Sequence, residues 1–521
     1  MKLWHRFLML VLAVGAVAFL VGDRRVRANP PEGDARAARA FELTTRLELA
    51  LAEKELEGAD PELANVAIAK ARLAIYSGDC DRAVAILSRP DLSTDDDARG
   101  LADLARGCAR VTAANVVLKD EARALEVRFQ DEHDAALFPL LAETIDRART
   151  MLTNELGVDW PKPTRFVVVR DHLALSAMTG LPYESAKTTG TVAVAKWGKV
   201  TLLSPRAPHH GYPWRDTVTH ELTHMAITRA SADRAPLWLQ EGLAKRQEVR
   251  WRQPGPFDDR PSVESVVIRG IEQKLDLPLD KLGPSIAMLP SADAAMVAFA
   301  EVSSFVRYFV DHSAKDMLPK LFTALKNGQT IDEALRSVTT KDLPAWDQEW
   351  RAWLKARPKE PLSALYGLGK APKNLHEARE KLRLAELLLD QGQALAAKRE
   401  LTGVGVMGPG ASDELGLDPS VRALQGRVLE ALDKRDEGFP LVSEPKDVAT
   451  SFAPWWALRG RVLGARGDTP GAEASYAEGI GEDPFDPEVS CVNAQDPLCT
   501  ANRVGPSLNT ANPQGFSHAS D

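Results

Sequence analysis

The chain has 521 residues, too many for one compact core, so two to four domains are expected. Its 44% hydrophobic and 26% charged content is that of an ordinary soluble globular protein, and a formal net charge of −8 is mild for this length. No Lys/Arg block stands out beyond the N-terminus, which excludes the electrostatic footprint of a nucleic-acid binder.

The chain opens with Lys2, His5 and Arg6, then an uncharged apolar run from Phe7 to Gly22 that Asp23, Arg24 and Arg25 end sharply. A basic start followed by such a run reads as a secretory signal over 1–28, with Val26-Arg27-Ala28 offering a small-residue cleavage site. The arginines after the run leave an uncleaved N-terminal anchor open, and that anchor is the one membrane contact expected. Either way the rest of the chain is expected outside the cytosol, in the periplasm or cell envelope. Cysteine use agrees: four cysteines allow three pairings, and proximity favours Cys80 with Cys108 and Cys491 with Cys499 as disulfides of an oxidising compartment.

From 29 to 123 the text is rich in Ala, Leu, Arg and Glu with helical periodicity and almost no strand signal. Within it Ser77-Gly78-Asp79 reads as the turn of a helical hairpin, and Ala71, Ala74, Ala83 and Ala85 are small residues where paired helices approach. The middle stretch, 124–357, changes character. Phe166-Val167-Val168-Val169 has the pattern of a buried strand, and residues 191–195 and 200–203 are two more strand candidates around a turn at Gly198. Helices follow over 213–229, 236–251 and 294–312. A second helical block covers 370–485, where Trp456-Ala457-Leu458, Gly464, Gly467-Asp468, Ala472, Tyr476 and Asp483-Pro484 mark a helical hairpin. These hairpins resemble tetratricopeptide units, a generic helical hairpin being the plainer alternative. The tail, 486–521, is polar and reads as extended or disordered apart from its cysteine loop.

The chemistry sits in Thr219-His220-Glu221-Leu222-Thr223-His224. On a helix His220 and His224 are one turn apart on the same face, so both imidazoles can bite one zinc ion, with Glu221 beside the open position. A chance match to this spacing is expected on the order of one time in a hundred. A catalytic zinc wants three protein ligands and one water. Downstream, Pro236-Leu237-Trp238-Leu239-Gln240-Glu241-Gly242-Leu243-Ala244 opens a second helix, with proline suited to its first turn. Glu241 stands in an otherwise apolar string; a buried carboxylate needs a partner, and a zinc ion is one. Trp346, Trp350 and Trp353, at helical spacings, read with Trp238 as core.

His220-Glu221-x-x-His224 followed by Trp238-Leu239-x-Glu241-Gly242-x-Ala244 resembles the gluzincin metallopeptidases, especially the peptidase MA-like group found beside tetratricopeptide repeats in bacterial envelope proteins. The resemblance covers roughly residues 125–355 and extends to Phe299-Ala300-Glu301-Val302-Ser303-Ser304-Phe305, a helix usually written with Tyr first, and to closing helices at Asp332-Glu333-Ala334-Leu335 and residues 346–353. It implies an α+β fold, a thermolysin-like zincin domain with a small mixed sheet and active-site helices, flanked by all-α tetratricopeptide-like segments. It also implies one Zn2+ per chain on His220, His224 and Glu241, with Glu221 as general base in peptide-bond hydrolysis. In such folds the edge strand above the metal pairs with an extended peptide or protein substrate; Thr191, Val192, Ala193 and Val194 are the candidates here. The flanking repeats are a place for a protein partner. Phe299 departs from the pattern, since phenylalanine has no donor where the group's tyrosine stabilises an oxyanion. Tyr308, Tyr212, His210 and His209 are substitutes to consider, the two histidines also reading as exposed loop residues. The alternative function is a repeat scaffold or peptide-binding module whose zinc site is structural or nearly inactive.

Overall fold

The computed structural model describes residues 32–157, 159–253, 262–362, 368, 375–408, 415, 418–443, 452–492, 495 and 497–499. The signal or anchor expected over 1–28 lies outside them, as does most of the polar tail. No helix among the described residues is long and apolar enough to cross a membrane.

The β-branched run at 166–169 becomes β3 (Thr164–Val169), the middle strand of a five-stranded sheet. The others are β1 (Val116–Asp120), β2 (Leu125–Phe129), β4 (Ala193–Lys196) and β5 (Lys199–Leu203), in the order β1-β2-β3-β5-β4. Strands β2, β3 and β5 run parallel, while β1 and β4 add antiparallel edges. Both faces of β3 are covered, which is why its sequence is continuously apolar instead of alternating. Phe166 and Val168 face the main core, and Val167 and Val169 face a smaller cluster containing Cys80, Cys108, Leu175 and Leu203.

Among the described residues five α-helices precede β1: α1 (Glu32–Thr45), α2 (Leu49–Leu56), α3 (Ala64–Tyr76), α4 (Cys80–Leu87) and α5 (Asp96–Thr112). The expected helical reading of 29–123 therefore needs one correction, because the stretch ends in β1. That strand is five residues long and half-buried, too short for period-two alternation to stand out from the helical text before it. Disulfides join Cys80 to Cys108 and Cys491 to Cys499. The first clips α4 to the end of α5. The helical block is fixed to the sheet through the β4–β5 turn: Lys199 Nζ donates to the Ile75 carbonyl at 2.7 Å, and Trp197 packs edge-on to Tyr76. Burial holds the Lys199 amine down to about 7.

Between and after the strands come α6 (Phe138–Leu156), α7 (His172–Thr179), α8 (Tyr183–Thr189), α9 (Trp214–Ser231), α10 (Leu237–Gln247), α11 (Val263–Glu272), α12 (Ala292–Asp311), α13 (Met317–Lys326), α14 (Ile331–Thr339) and α15 (Leu343–Leu354). One apolar core joins the inner face of the sheet to α6 and to α9–α15, with Trp238 and Trp350 wholly inside it, while α7 and α8 pack in the smaller cluster on the other face. The C-terminal block is helical as expected: α16 (Leu375–Asp390), α17 (Ala394–Gly403), α18 (Pro419–Ala431), α19 (Ala453–Ala465) and α20 (Thr469–Glu482). Beyond α20 the chain is not simply extended. Pro487–Ser490 forms a helical turn, and Val489 and Leu498 are buried. Apolar side chains spaced through a polar text were enough to dock it.

Candidate metal centre

Helix α9 begins after Pro213 and carries Asp216 in its first turn, where a carboxylate suits the helix dipole. Its inward stripe, Val218, Leu222, Met225 and Ala226, is buried in the main core. That burial fixes the helix's rotation and turns His220, Glu221 and His224 toward α10 and β4. The two imidazole rings lie 5.0 Å apart, centre to centre, in an edge-on arrangement.

Helix α10 brings the third group. Gly242 is required here: a Cβ would fall 2.3 Å from a Val306 methyl and 2.5 Å from the Val302 carbonyl of α12. Only glycine lets the two helices approach this closely, and the approach sets Glu241 opposite the histidines. Glu241 Oε2 lies 3.4 Å from His220 Nε2 and 3.5 Å from His224 Nε2. Ligand bonds of about 2.0–2.1 Å in a tetrahedral zinc site place neighbouring donors roughly 3.3 Å apart. Two nitrogens and one oxygen at these separations fit a tetrahedral ion with one position left open.

The surroundings favour positive charge at that point. The Glu241 carboxyl is held below its ordinary range: burial opposes this, and His224 and His220 outweigh it. Burial likewise opposes the rise of His220, which Glu241 and Glu248 nevertheless carry up to about 10. Glu248 is a residue that the motif reading passed over. Its Oε2 lies 3.1 Å from His220 Nδ1, the arrangement that fixes a ligating histidine with its other nitrogen toward the metal. The signal was there in principle, since Glu248 follows Glu241 by seven residues, two turns along the same side.

Glu221 is 7% exposed, and burial raises its pKa against the pull of His224 and His220. Its Oε2 accepts the Ala195 backbone N–H at 2.5 Å, tying it to edge strand β4. The register of β4 explains why that N–H is available. Leu203 N–H bonds to the Val192 carbonyl, and Lys196 pairs with Lys199, so Val194 also pairs inward with β5. Ala193 and Ala195 therefore turn their backbone groups to the open edge. Of the four residues expected to meet substrate, Ala193 and Val194 lie in β4, and Thr191 and Val192 lead into it.

The suggested replacements for the missing tyrosine go elsewhere. Phe299 on α12 has its ring 6.4 Å from that of His220. Tyr308 is nine residues later, half a turn out of phase, and packs on His312, Trp346 and Trp353. Tyr212 gives its hydroxyl to the Leu203 carbonyl. His209 and His210 meet Glu386 of α16, and the side chain of His210 is largely enclosed, so the exposed-loop reading holds only for His209.

Residues 147–356 match the family model described as Peptidase MA superfamily, rather less than half of the chain. The matched stretch is a metallopeptidase-like domain, and it contains all of the residues of the His220–Glu241 cluster. Comparison with curated proteins and with solved structures gave no match.

Proposed function

We propose that the protein is an exported zinc peptidase of gluzincin type, with His220, His224 and Glu241 as ligands and Glu221 as general base. The observation that carries this is the donor triangle itself, three atoms at zinc-ligand separations with a buried carboxylate at its open side. Bound zinc supplies a Lewis acid that lowers the pKa of water toward about 7 and polarises a peptide carbonyl. The chain's residues do the remaining work. Glu221, its pKa raised by burial, accepts the proton of the attacking water and returns it to the departing amine. The Ala195 N–H holds that carboxylate in place. The open edge of β4 offers the Ala193 N–H and carbonyl and the Ala195 carbonyl to an extended peptide, binding it through backbone and therefore with little demand on sequence. Glu248 holds His220 in one orientation.

Phe299 supports a second reading, a zinc site that captures peptides and turns them over slowly. Loss of one oxyanion donor typically costs on the order of 100-fold or more in rate. Zinc-loaded protein incubated with a peptide library separates the two. Cleavage that disappears in Glu221→Gln, with zinc retained, supports the peptidase; binding without cleavage in wild type supports the capture module.

A further inference from the structure

Two groups of His and acidic residues among the described residues bring three metal-ligand atoms within 4.8 Å of one another, and only one belongs to the centre above. The other is His209, His210 and Glu386, at the seam between the loop that leads into α9 and the C-terminal helical block.

The seam is built, not accidental. Tyr212 N–H bonds to the Glu482 carbonyl at 2.9 Å, and the Trp214 indole donates to the Ile480 carbonyl at 3.3 Å. Gly211, at φ +68°, lies so close to the end of α20 that a Cβ would sit 2.3 Å from the Glu482 oxygen. This contact fixes the two preceding histidines over α16. His210 Nε2 lies 3.0 Å from one oxygen of Glu386, and His209 Nε2 lies 3.8 Å from the other. The separations bracket the roughly 3.3 Å expected between donors of a tetrahedral zinc ion.

Charge argues the same way. Glu386 is nearly buried, and Asp390, Asp483 and Asp486 also act on the histidine pair. Against these carboxylates stands Arg427, which is nearer to Asp390 at 3.2 Å than to Glu386 at 3.6 Å. Arg427 is thus shared between carboxylates, and the buried Glu386 beside two imidazoles is a setting that suits a further cation. Two imidazoles and one carboxylate suit zinc or a similar borderline divalent ion, and the half-exposed His209 gives it a way in.

We infer that His209, His210 and Glu386 form a second zinc site, which staples the loop before α9 to the C-terminal helical block. The test is the zinc content of the full-length protein, measured by mass spectrometry after equilibration in buffered zinc and gel filtration. Wild type is expected to carry two zinc ions per chain. His209→Gln combined with His210→Gln, and separately Glu386→Gln, should each remove one, and Glu241→Ala should remove the other. His209→Gln alone, at a half-exposed position, is the variant least able to disturb folding and should weaken seam binding at least tenfold. Equal zinc content and affinity in wild type and these seam variants would overturn the inference. Retention of full zinc by Glu241→Ala, with loss in the seam variants, would instead support the seam and contradict the proposed active centre.

Discussion

The two His/His/Glu clusters use the same donor types and differ in how they are assembled. In the proposed active centre His220 and His224 ride one helix, and Glu241 comes from the next helix in sequence. In the seam the histidines are chain neighbours on a loop, and Glu386 arrives from a different helical block. The first geometry is set by helical pitch and one close helix contact at Gly242. The second exists only once two blocks have docked. A site of the first kind is prepared by local structure, whereas one of the second kind reports on tertiary assembly.

The difference can be sharpened by substitution, beginning with the largest effect. Glu221→Gln removes the proton acceptor but no ligand; peptide cleavage should fall by about 1,000-fold while zinc content is unchanged. Phe299→Tyr tests the departure beside His220. If a hydroxyl there can reach the developing oxyanion, kcat should rise toward roughly 100-fold with zinc affinity unaltered; no change would place the donor elsewhere. Glu248→Gln should weaken zinc binding by about 10- to 100-fold, read by chelator competition, and should leave the seam site untouched. A smaller effect concerns the scaffold under the candidate metal centre. Glu301 on α12 is fully buried, and burial pushes its pKa up to about 8. A carboxyl whose pKa is raised on folding contributes most below its unfolded value near 4.3, and that contribution is lost as pH rises through about 8. Glu301→Gln should therefore raise Tm by a few degrees at pH 8.5 relative to wild type, and much less at pH 4.5.

Legibility in the sequence followed the same division. The His220–His224 spacing, the apolar string around Glu241 and the doubly buried run at 166–169 all express local periodicity, so their helices and strand stood out. The cysteine pairs were legible through proximity alone. Strand β1 was not, because five residues carry too little pattern against a helical background. Glu248 was hidden because its role depends on which way α10 turns, and the seam because nothing in the loop text points to Glu386. The positions of Tyr308 and Tyr212 were equally out of reach: each is committed by packing, Tyr308 to the tryptophans of α15 and Tyr212 to the Leu203 carbonyl.

The central claim concerns where one ion sits. Diffraction data collected across the zinc absorption edge from zinc-loaded crystals would locate it directly. An anomalous peak is expected about 2.0–2.2 Å from His220 Nε2, His224 Nε2 and a Glu241 oxygen, with Glu221 outside the coordination shell. A well-occupied zinc elsewhere and none between these three, or a peak that takes Glu221 in place of Glu241, would contradict it.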